Sequence, residues 1–438
     1  MGADTIFALS SAAGPAGVAV VRVSGPGAGR AIEALAGRVP QPRHATVAAL
    51  RRPGTAELLD RGLVLWFPGP ASVTGEDVGE FQIHGGRAVV RAVLEALSAL
   101  PGLAPAEPGE FTRRAFFHGK LDLTQVEAIA DLVRAETEGQ RRQAQRQLDG
   151  ELGQRLERWR SETLRALAHV EAAIDFAEDE VPTEALAAAV ARVHRLVAEM
   201  REALGEARRG ERLRTGVQVA IIGAPNVGKS SLLNAIAGRN AAIVSARAGT
   251  TRDVVEVHLD LGGVPVVLAD TAGLRESGDE IEREGVRRAV ERAEQADVRV
   301  AVFDATAWPE LDARTQAAAG EDAVRVVNKV DVRSISRGTA WPVSARTGEG
   351  MAPLLRELER VAGERAGMSE EPGLTSVRQR SALTECVGSL ARFLQSDGEL
   401  ALRAEDLRLA ARSLGRITGR VDVEELLDVV FRDFCIGK

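Results

Sequence analysis

The chain has 438 residues, of which 45% are hydrophobic and 27% charged, with a net charge of −7 and two cysteines. These values fit a globular protein of two to four domains, and they argue against a disulfide framework and against a chain-wide positive surface for nucleic acid. No segment approaches the roughly 18 apolar residues of a membrane span, and the first residues, MGADTIFALSS, lack the pattern of a signal peptide. We therefore expect a cytoplasmic protein with no membrane association.

The N-terminal segment, residues 1–119, is rich in Gly and Pro and contains short β-type runs at 17–23, 63–67 and 80–84. One amphipathic helix, near residues 87–100, interrupts these runs. Strands and a helix mixed in this way predict a compact α+β domain.

Residues 120–214 have a different composition, with little Pro or Gly and much Ala, Leu, Glu, Arg and Gln. Apolar residues recur there at helical spacing, as at Leu148 and Leu152. The helical composition returns in residues 365–438. We therefore predict a helical domain in two parts, interrupted by an inserted domain at 215–364, which a fold tolerates when the inserted termini lie close together.

The inserted segment alternates strands with helices, as a parallel α/β domain does. Strands are predicted at 217–222, 264–269, 298–303 and 324–327. The expected fold class is therefore multidomain, with an α+β domain, a helical domain and an inserted α/β domain.

A phosphate-binding motif of the form GxxxxGK[ST] follows the first of these strands, at Gly223–Ser230 (GAPNVGKS). Its glycines let backbone N–H groups surround phosphate oxygens, and the following helix adds positive potential at its N-terminus. Lys229 is expected to reach the β- and γ-phosphates and to assist catalysis, and Ser230 to ligate Mg²⁺. The GTP contacts predicted in this loop are Asn226, Val227, Gly228, Lys229, Ser230 and Ser231.

Companion motifs point to guanine as the base and to GTP as the nucleotide. Asn328-Lys329-Val330-Asp331 ends a strand, and the Asp331 carboxylate can accept from two guanine donors that adenine does not present. Ser344, Ala345 and Arg346 follow as a base-side loop. Thr251 is predicted to complete the Mg²⁺ shell. Two further segments are predicted to contact the nucleotide: Asp270, Thr271, Ala272 and Gly273 form one, and Ser245, Ala246, Arg247, Ala248, Gly249, Thr250 and Thr251 form the other.

Leu274 stands where many small GTPases place a glutamine that orients the attacking water. An aliphatic side chain can neither donate nor accept a hydrogen bond, so another group must position this water. The residues alone leave two readings of the polar stretch that follows, a solvated acidic loop or a loop with one catalytic carboxylate. Its acidic residues are Glu276, Asp279, Glu280 and Glu282.

The chain closely resembles the MnmE (TrmE) family of tRNA-modifying GTPases over its whole length. The resemblance rests on the GTPase motifs above and on several separate motifs in the rest of the chain: Asp4-Thr-Ile6, VVRVSGP at 20–26, Thr74-Gly-Glu-Asp77, His84-Gly-Gly86, Pro108-Gly-Glu-Phe-Thr112, Gly119-Lys-Leu-Asp-Leu123 and Phe434-Cys-Ile-Gly-Lys438.

The resemblance implies a folate-binding-like N-terminal domain that also forms a homodimer, a helical domain, and an inserted Ras-like P-loop GTPase domain. The folate, a 5-formyl- or methylene-tetrahydrofolate, would contact Arg22, Glu80, Lys120 and the C-terminal Lys438. Cations suit its glutamate tail and a carboxylate suits the paired donors of its pterin ring.

The resemblance also implies GTP hydrolysis that is stimulated by K⁺ and by dimerisation of the GTPase domains. K⁺ would be held by Asn226, Ser245, Arg247 and Thr250, and Glu282 would orient the attacking water. Three positions depart from the family pattern: Val73, where an aromatic residue is common, His118, where Asn is common, and Arg247, where an aliphatic residue is common.

The implied reaction adds an aminomethyl or carboxymethylaminomethyl group to the wobble uridine of certain tRNAs. An FAD-binding partner of the MnmG (GidA) family would join the homodimer in a heterotetramer and carry the redox chemistry. Two rival functions remain on the sequence alone. One is a GTPase switch or ribosome-assembly factor without modification chemistry, and the other is a membrane-linked K⁺-dependent GTPase.

The chain ends in DFCIGK, and the cysteine near its end allows three interpretations. The first is a prenylated lipid anchor, but Gly437 and Lys438 do not suit a prenylation box. A frayed end is the second reading. The third is a tail docked by an amphipathic helix over 423–434, in which case the resemblance places Cys435 in the modification chemistry as a candidate nucleophile.

Two other stretches are given ordinary structural readings. Ser24–Gly29 echoes the dinucleotide motif G-x-G-x-x-G, but Arg30 stands where the last glycine should be, so we predict a turn. The arginine-rich helix over 141–165 is either a surface for tRNA or a solvated helix face. Interleaved Glu and Gln favour the solvated face.

Overall fold

The computed structural model describes residues 5–55, 57–175, 183–238, 256–270, 295–367, 373–396 and 398–421, together with residues 427, 430, 431, 434 and 437. The chain divides into two compact units, one of residues 1–130 and 415–438 and the other of residues 131–414. The four segments drawn from composition stay predictions. Within the described ranges, no helix combines the length and the apolar composition that crossing a membrane requires.

The first unit contains a mixed six-stranded sheet in the order β3-β4-β5-β2-β1-β6. Neighbouring strands are antiparallel except for β1 and β6, which are parallel. The three strands expected from sequence lie inside β2, β4 and β5. The strands are β1 (Thr5–Leu9), β2 (Ala16–Ser24), β3 (Thr46–Arg51), β4 (Leu58–Phe67), β5 (Val78–Gly85) and β6 (Leu103–Pro105).

The sequence predicted one helix in the first 119 residues, and the structure has three within the described ranges 5–55 and 57–119. They are α1 (Ala28–Ala36), α2 (Arg87–Ser98) and α3 (Glu110–Phe117). The predicted turn at 24–29 is correct only for its first part, because α1 begins at Ala28. Thr5 Oγ1 accepts a hydrogen bond from the Gly27 N–H at 2.8 Å, and a Cβ on Gly27 would lie 2.8 Å from that oxygen.

The core of the first unit lies between the sheet and helices α1 and α2. Helix α1 buries Ala28, Ala31, Ile32 and Leu35, which have the spacing of one helix face. Ile32 and Leu97 of α2 pack with Phe81 of β5 in one apolar cluster. The helical period was therefore present in the sequence of α1, but the surrounding glycines obscured it.

The second unit combines long helices with a second six-stranded sheet, in the order β12-β11-β10-β7-β9-β8. All neighbours are parallel except β8 and β9, which form a hairpin. The predicted strand at 217–222 is confirmed, and the other three are one residue longer than predicted. The strands are β7 (Val217–Ile222), β8 (Glu256–Leu261), β9 (Val264–Asp270), β10 (Val298–Asp304), β11 (Val324–Asn328) and β12 (Trp341–Pro342).

Along the chain, helices of the second unit both precede and follow the segment that forms the sheet. The sheet core includes Val219, Ile221, Val300 and Val326, all at or near zero exposure. The remaining helices are α4 (Leu123–Arg134), α5 (Glu138–Leu148), α6 (Glu151–Asp175), α7 (Thr183–Thr215), α8 (Lys229–Ala237), α9 (Ala313–Ala319), α10 (Met351–Ala366), α11 (Val377–Gln395) and α12 (Leu400–Thr418).

The tip of the β8–β9 hairpin lies against the start of α5. The Gly139 N–H donates to the carbonyl oxygen of Gly263 at 3.0 Å, and a Cβ on Gly139 would lie 2.5 Å from that oxygen. A capping box of Thr137 and Gln140 fixes this end of the helix. Glycine is therefore required at position 139 for the hairpin to reach the helix.

Several arginines of the 141–165 stretch are paired with carboxylates. Arg141 and Arg142 both bind Glu138, at 2.8 and 2.7 Å, and Arg158 binds Glu199 at 2.9 Å. These pairs neutralise charge that a phosphate backbone would otherwise meet, which favours the solvated helix face over the tRNA surface.

Candidate functional site

The phosphate loop runs from the end of β7 to the start of α8 and packs tightly on its neighbours. Gly228 caps α8 with φ +94°, and a Cβ there would lie 2.3 Å from Nδ2 of Asn328. A Cβ on Gly223 would lie 2.6 Å from the carbonyl oxygen of Val302 in β10. Both glycines are thus required by close approach of other backbone or side-chain atoms.

Lys229 folds over the loop that precedes it. Its Nζ donates to the carbonyl oxygens of Gly223 and Ala224, each at 2.9 Å. Val227 is buried, and Ser230 and Ser231 begin the first turn of α8. An ammonium group and a helix N-terminus therefore converge where the sequence predicts phosphates.

Asn328 joins three of the segments predicted to contact GTP. The side chain is 3% exposed, and its Nδ2 donates to the carbonyl oxygen of Val227 at 2.9 Å. Its Oδ1 accepts from the N–H of Ala345 at 3.0 Å. One buried amide thereby holds the phosphate loop and the Ser344–Arg346 loop at the end of β11.

Asp331 lies beside the base-side loop with both carboxylate oxygens engaged. Ser344 Oγ donates to Oδ1 at 2.6 Å, and Arg346 Nη2 lies 2.8 Å from Oδ2. The hydrogen bond from Ser344 holds the pKa of Asp331 below its usual value, and the charge of Arg346 acts in the same direction. The group is therefore an ionised acceptor at neutral pH, as binding of guanine requires.

Asp270 ends β9, where its backbone pairs with Ile221 of β7. This places the backbone of Asp270 at the same edge of the sheet as the phosphate loop. The other predicted nucleotide contacts in the segments 245–251 and 270–273, and the predicted water-orienting Glu282, lie outside the described residues: Ser245, Ala246, Arg247, Ala248, Gly249, Thr250, Thr251, Thr271, Ala272, Gly273 and Glu282.

Arg22 and Glu80, two predicted folate contacts, lie opposite each other on β2 and β5. Arg22 donates from Nε to Glu80 at 3.0 Å, and its guanidinium lies 5.7 Å from the ring centroid of Phe111. The two side chains are 22% and 17% exposed, so both remain accessible. Lys120 follows α3 and donates to the carbonyl oxygen of Pro70 at 3.2 Å.

Two family models match consecutive parts of the chain. The model described as GTP-binding protein TrmE N-terminus matches residues 5–120, and the model described as MnmE helical domain matches residues 123–435. The chain belongs to the MnmE (TrmE) family.

Curated relatives match this MnmE-family chain over its whole length. A protein of Paramagnetospirillum magneticum named tRNA modification GTPase MnmE is 58% identical over 99% of this chain and 100% of its own. One of the same name from Rhodospirillum rubrum is 54% identical over all of both chains. A Danio rerio protein named as the mitochondrial GTPB3 subunit of a 5-taurinomethyluridine tRNA synthase is 49% identical over 100% of this chain and 94% of its own.

A solved structure of Aquifex aeolicus Era matches 42% of this chain and 68% of its own, at 23% identity and a TM-score of 0.27. That likeness is too weak to support a conclusion. The family assignment depends on the family models and on the whole-length relatives.

A polar network that the sequence motifs did not predict lies next to Arg22 in this MnmE-family fold. Ser24 Oγ donates to Glu76 at 2.8 Å, and Arg114 Nη1 donates to the same carboxylate at 3.0 Å. Arg114 also binds Glu110 at 3.0 Å. The motifs at 74–77 and 108–112 were visible in the sequence, but nothing in their spacing indicated that Glu76 and Glu110 both bind Arg114.

His118, one departure from the family pattern, packs against the loop that contains Glu76. Its Nδ1 lies 2.9 Å from the carbonyl oxygen of Thr74, and a Cβ on Gly75 would lie 2.7 Å from the Cβ of His118. His118 therefore supports this loop. Val73, the second departure, is 54% exposed.

The end of the chain packs on the first unit at the described positions. Leu427, Phe431 and Phe434 are buried with Leu123 and Val126. Residues 427, 430 and 431 are helical, whereas most of the helix predicted over 423–434 lies outside the described residues, as do Cys435 and Lys438.

Gly437 lies against the end of β1. It has φ +94°, and a Cβ there would lie 2.0 Å from the carbonyl oxygen of Leu9. Leu9 follows Ala8, which pairs with Arg22 across β1 and β2. At this residue the tail therefore lies against β1, the strand that pairs with the one carrying Arg22.

Proposed function

We propose that this chain hydrolyses GTP and modifies the wobble uridine of certain tRNAs together with an FAD-binding protein of the MnmG (GidA) family. The added group is aminomethyl or carboxymethylaminomethyl, and its one-carbon unit comes from a folate. Membership of the MnmE family and the names of the whole-length relatives support the role in tRNA modification. The arrangement of Asn328, Asp331 and Ser344 carries the assignment of GTP.

The base site favours guanine because it presents an ionised carboxylate whose direction is fixed. Ser344 orients Asp331, and Asn328 holds the backbone around it. Guanine offers two adjacent donors to such a carboxylate, whereas adenine presents an acceptor at the corresponding ring nitrogen and a C–H beside it, and so offers neither donor. A buried or enclosed acceptor without its donor is costly, so GTP binds in preference to ATP.

Lys229, Ser230 and the N-terminus of α8 hold the phosphates in this proposal. The residues fit a magnesium nucleotide, because Ser230, whose hydroxyl can ligate a cation, lies in the first turn of α8 beside Lys229, and the N-terminus of that helix presents its N–H groups. Mg²⁺, with Thr251 as its second protein ligand, supplies charge neutralisation between the phosphates when bound. Lys229 withdraws from the Gly223 and Ala224 carbonyl oxygens to reach the phosphates.

Asn226 is the proposed side-chain ligand of K⁺. It stands in the phosphate loop with φ +61°, where its amide oxygen is a hard donor suited to an alkali cation. K⁺ supplies the positive charge that an arginine finger supplies in other GTPases. Ser245, Arg247 and Thr250 complete its shell, and Glu282 orients the water when two GTPase domains associate; these four residues lie outside the described residues.

Arg22, Glu80 and Lys120 are the proposed folate contacts in the first unit. The pair fits this ligand because a carboxylate, a guanidinium and the Phe111 ring meet on neighbouring elements with partial exposure. Glu80 accepts from the paired donors of a pterin, and the cations bind the glutamate tail. Folate supplies the one-carbon unit when bound, and Lys438 is the fourth proposed contact.

The C-terminal tail is proposed to act in the modification reaction. The close fit of Gly437 against Leu9 supports a docked tail over a frayed or lipidated one. Cys435, two residues earlier, is the proposed nucleophile. We further propose that the chain works in the cytoplasm as a homodimer through its N-terminal domain, joined by the FAD-binding partner in a heterotetramer; family resemblance supports these assignments.

Deletion of the gene tests the function. We expect nucleoside mass spectrometry of total tRNA to find the aminomethyl and carboxymethylaminomethyl uridines absent, and to find them restored by a plasmid that encodes this chain. A plasmid encoding Asp331→Asn should fail to restore them. Modified uridine that persists in the deletion strain would contradict the proposal and favour a GTPase switch without modification chemistry.

A further inference from the structure

A single ammonium group bridges the base side and the phosphate side of the nucleotide site. Lys329 Nζ donates to the backbone carbonyl oxygen of Asn226 and to Oδ2 of Asp304, both at 2.6 Å. Lys329 belongs to the base-side motif and Asn226 to the phosphate loop, whereas Asp304 belongs to no motif of the sequence. Asp304 is therefore a member of the site that sequence reasoning missed.

The register of the sheet places Asp304 at this point. Strands β10 and β11 are parallel, and Asp304 pairs with Asn328, the residue before Lys329. The ladder continues one residue further, because the Ala305 N–H donates to the carbonyl oxygen of Asn328 at 2.9 Å. The carboxylate thus stands at the carboxyl edge of the sheet, where ligands of parallel α/β folds bind.

Thr306 fixes the direction of the Asp304 carboxylate. Oδ1 accepts from the Thr306 N–H at 2.9 Å and from its Oγ1 at 2.8 Å. The remaining oxygen, Oδ2, is the one that accepts from Lys329. Burial acts to raise the pKa of Asp304, but the hydrogen bonds from Lys329 and Thr306 outweigh it, so the pKa lies below its ordinary value and the group is ionised at neutral pH.

Lys329 and its partner Asn226 both have an uncommon backbone conformation. Asn226 has φ +61° and Lys329 has φ +69°. Residues with a Cβ seldom occupy this left-handed region, and they stay there where surrounding contacts hold them. A hydrogen bond to the carbonyl oxygen of Asn226 is such a contact, and the backbone of Asn226 sets the direction of its side chain.

We propose that Asp304 is a positioning residue for the potassium site, which holds Lys329 against the Asn226 carbonyl oxygen and thereby aims the Asn226 amide at the cation. This inference rests on the proposed K⁺ dependence of GTP hydrolysis. Asp304 lies outside the phosphate motif, and the motif alone does not indicate that this residue positions the K⁺ ligand Asn226. Without the carboxylate, Lys329 loses its charged partner and Asn226 loses its restraint.

GTP turnover by full-length Asp304→Asn, measured against KCl with NaCl added to constant ionic strength, tests this role. We expect the K⁺ concentration for half-maximal rate to rise about threefold to tenfold, the effect of weakening one partly exposed charged hydrogen bond. Thr306→Ala should raise it less, because it removes one hydrogen bond to the carboxylate and leaves the charge. Asp304→Glu should recover part of the loss.

Asp312→Asn is the matched control, because Asp312 also accepts from a threonine N–H and Oγ, those of Thr315, each at 2.7 Å, but caps α9. It should lower the melting temperature slightly and leave the K⁺ requirement unchanged.

An unchanged K⁺ requirement in both Asp304→Asn and Thr306→Ala would overturn the inference, as would an equal shift in Asp312→Asn. Wild-type rates that are equal in KCl and NaCl would overturn the proposed K⁺ dependence, and this inference with it. The dependence of wild-type GTP turnover on KCl therefore distinguishes a failure of the proposed K⁺ dependence from a failure of the role of Asp304.

Discussion

Gly437 and Leu9 are in contact through backbone atoms, so closely that a Cβ on Gly437 would lie 2.0 Å from the Leu9 carbonyl oxygen. Such a distance is far inside van der Waals contact, and φ +94° at Gly437 is strained for any other residue. We expect Gly437→Ala to displace the tail from β1. The proposed role of the tail then predicts loss of tRNA modification with GTP turnover retained, measured by nucleoside mass spectrometry and by phosphate release.

Gly102→Ala is the matched control for backbone strain. Gly102 also has a positive φ, +82°, but no atom lies within 4 Å of its added Cβ. It should lose some stability and keep modification. If Gly437→Ala modifies tRNA at the wild-type level, the tail has no positional role in the reaction.

Asp331→Asn should change the base that the site accepts. The amide replaces one acceptor with a donor, so guanine loses a charged partner. Xanthine carries a carbonyl in place of the amino group, and this carbonyl gains a neutral N–H donor. We expect GTP affinity to fall about 10²–10⁴-fold, the effect of two hydrogen bonds to a charged group, and XTP to become a substrate. Titration with fluorescent nucleotides measures both changes.

Asp322→Asn is the control for the change in charge, since Asp322 lies in the same domain and is 89% exposed. It should bind GTP as the wild type does. Equal GTP affinity in Asp331→Asn and Asp322→Asn would contradict the proposed contact between Asp331 and guanine.

Gly139→Ala should weaken the contact between α5 and the β8–β9 hairpin. The new Cβ would lie 2.5 Å from the Gly263 carbonyl oxygen, so the hairpin must move and its hydrogen bond from the Gly139 N–H must lengthen. We expect the free energy of unfolding to fall by about 1–3 kcal/mol, the usual effect of overpacking. Urea denaturation followed by circular dichroism gives this value.

Gly205→Ala provides the contrasting substitution. Gly205 lies within α7 and no atom lies within 4 Å of its added Cβ. Alanine there should stabilise the protein by up to about 1 kcal/mol, because glycine is the poorer helix former. If Gly139→Ala lowers the free energy of unfolding and Gly205→Ala raises it, the loss at position 139 comes from the close contact and not from helix propensity. Equal changes in the two variants would contradict the importance of the contact.

Local sequence patterns predicted the strand Val217–Ile222 and the phosphate loop because both depend on neighbouring residues. They did not predict the bond between Arg114 and Glu76, whose partners are 38 residues apart. Asp304 escaped notice for a related reason. Its role depends on the parallel register of β10 and β11, which no single segment encodes.

Cys386 should resist alkylation in the native protein. It is fully buried in α11, and burial raises the pKa of its thiol to about 12, so almost no thiolate exists at pH 8. Because this pKa exceeds the ordinary value, the contribution of the thiol to stability is complete below about pH 9 and is lost as pH rises toward 12. Iodoacetamide treatment followed by peptide mass spectrometry measures the modification.

Cys435 gives the comparison within the same chain. The proposed nucleophilic role predicts that native protein is alkylated at Cys435 well before Cys386, and that Cys435→Ser protein takes up almost no label until it is unfolded. In guanidinium chloride both thiols should react at similar rates, because the difference arises from burial in the fold. Rapid alkylation of native Cys386 would contradict its burial in α11, whereas slow alkylation of both thiols would argue against a reactive Cys435.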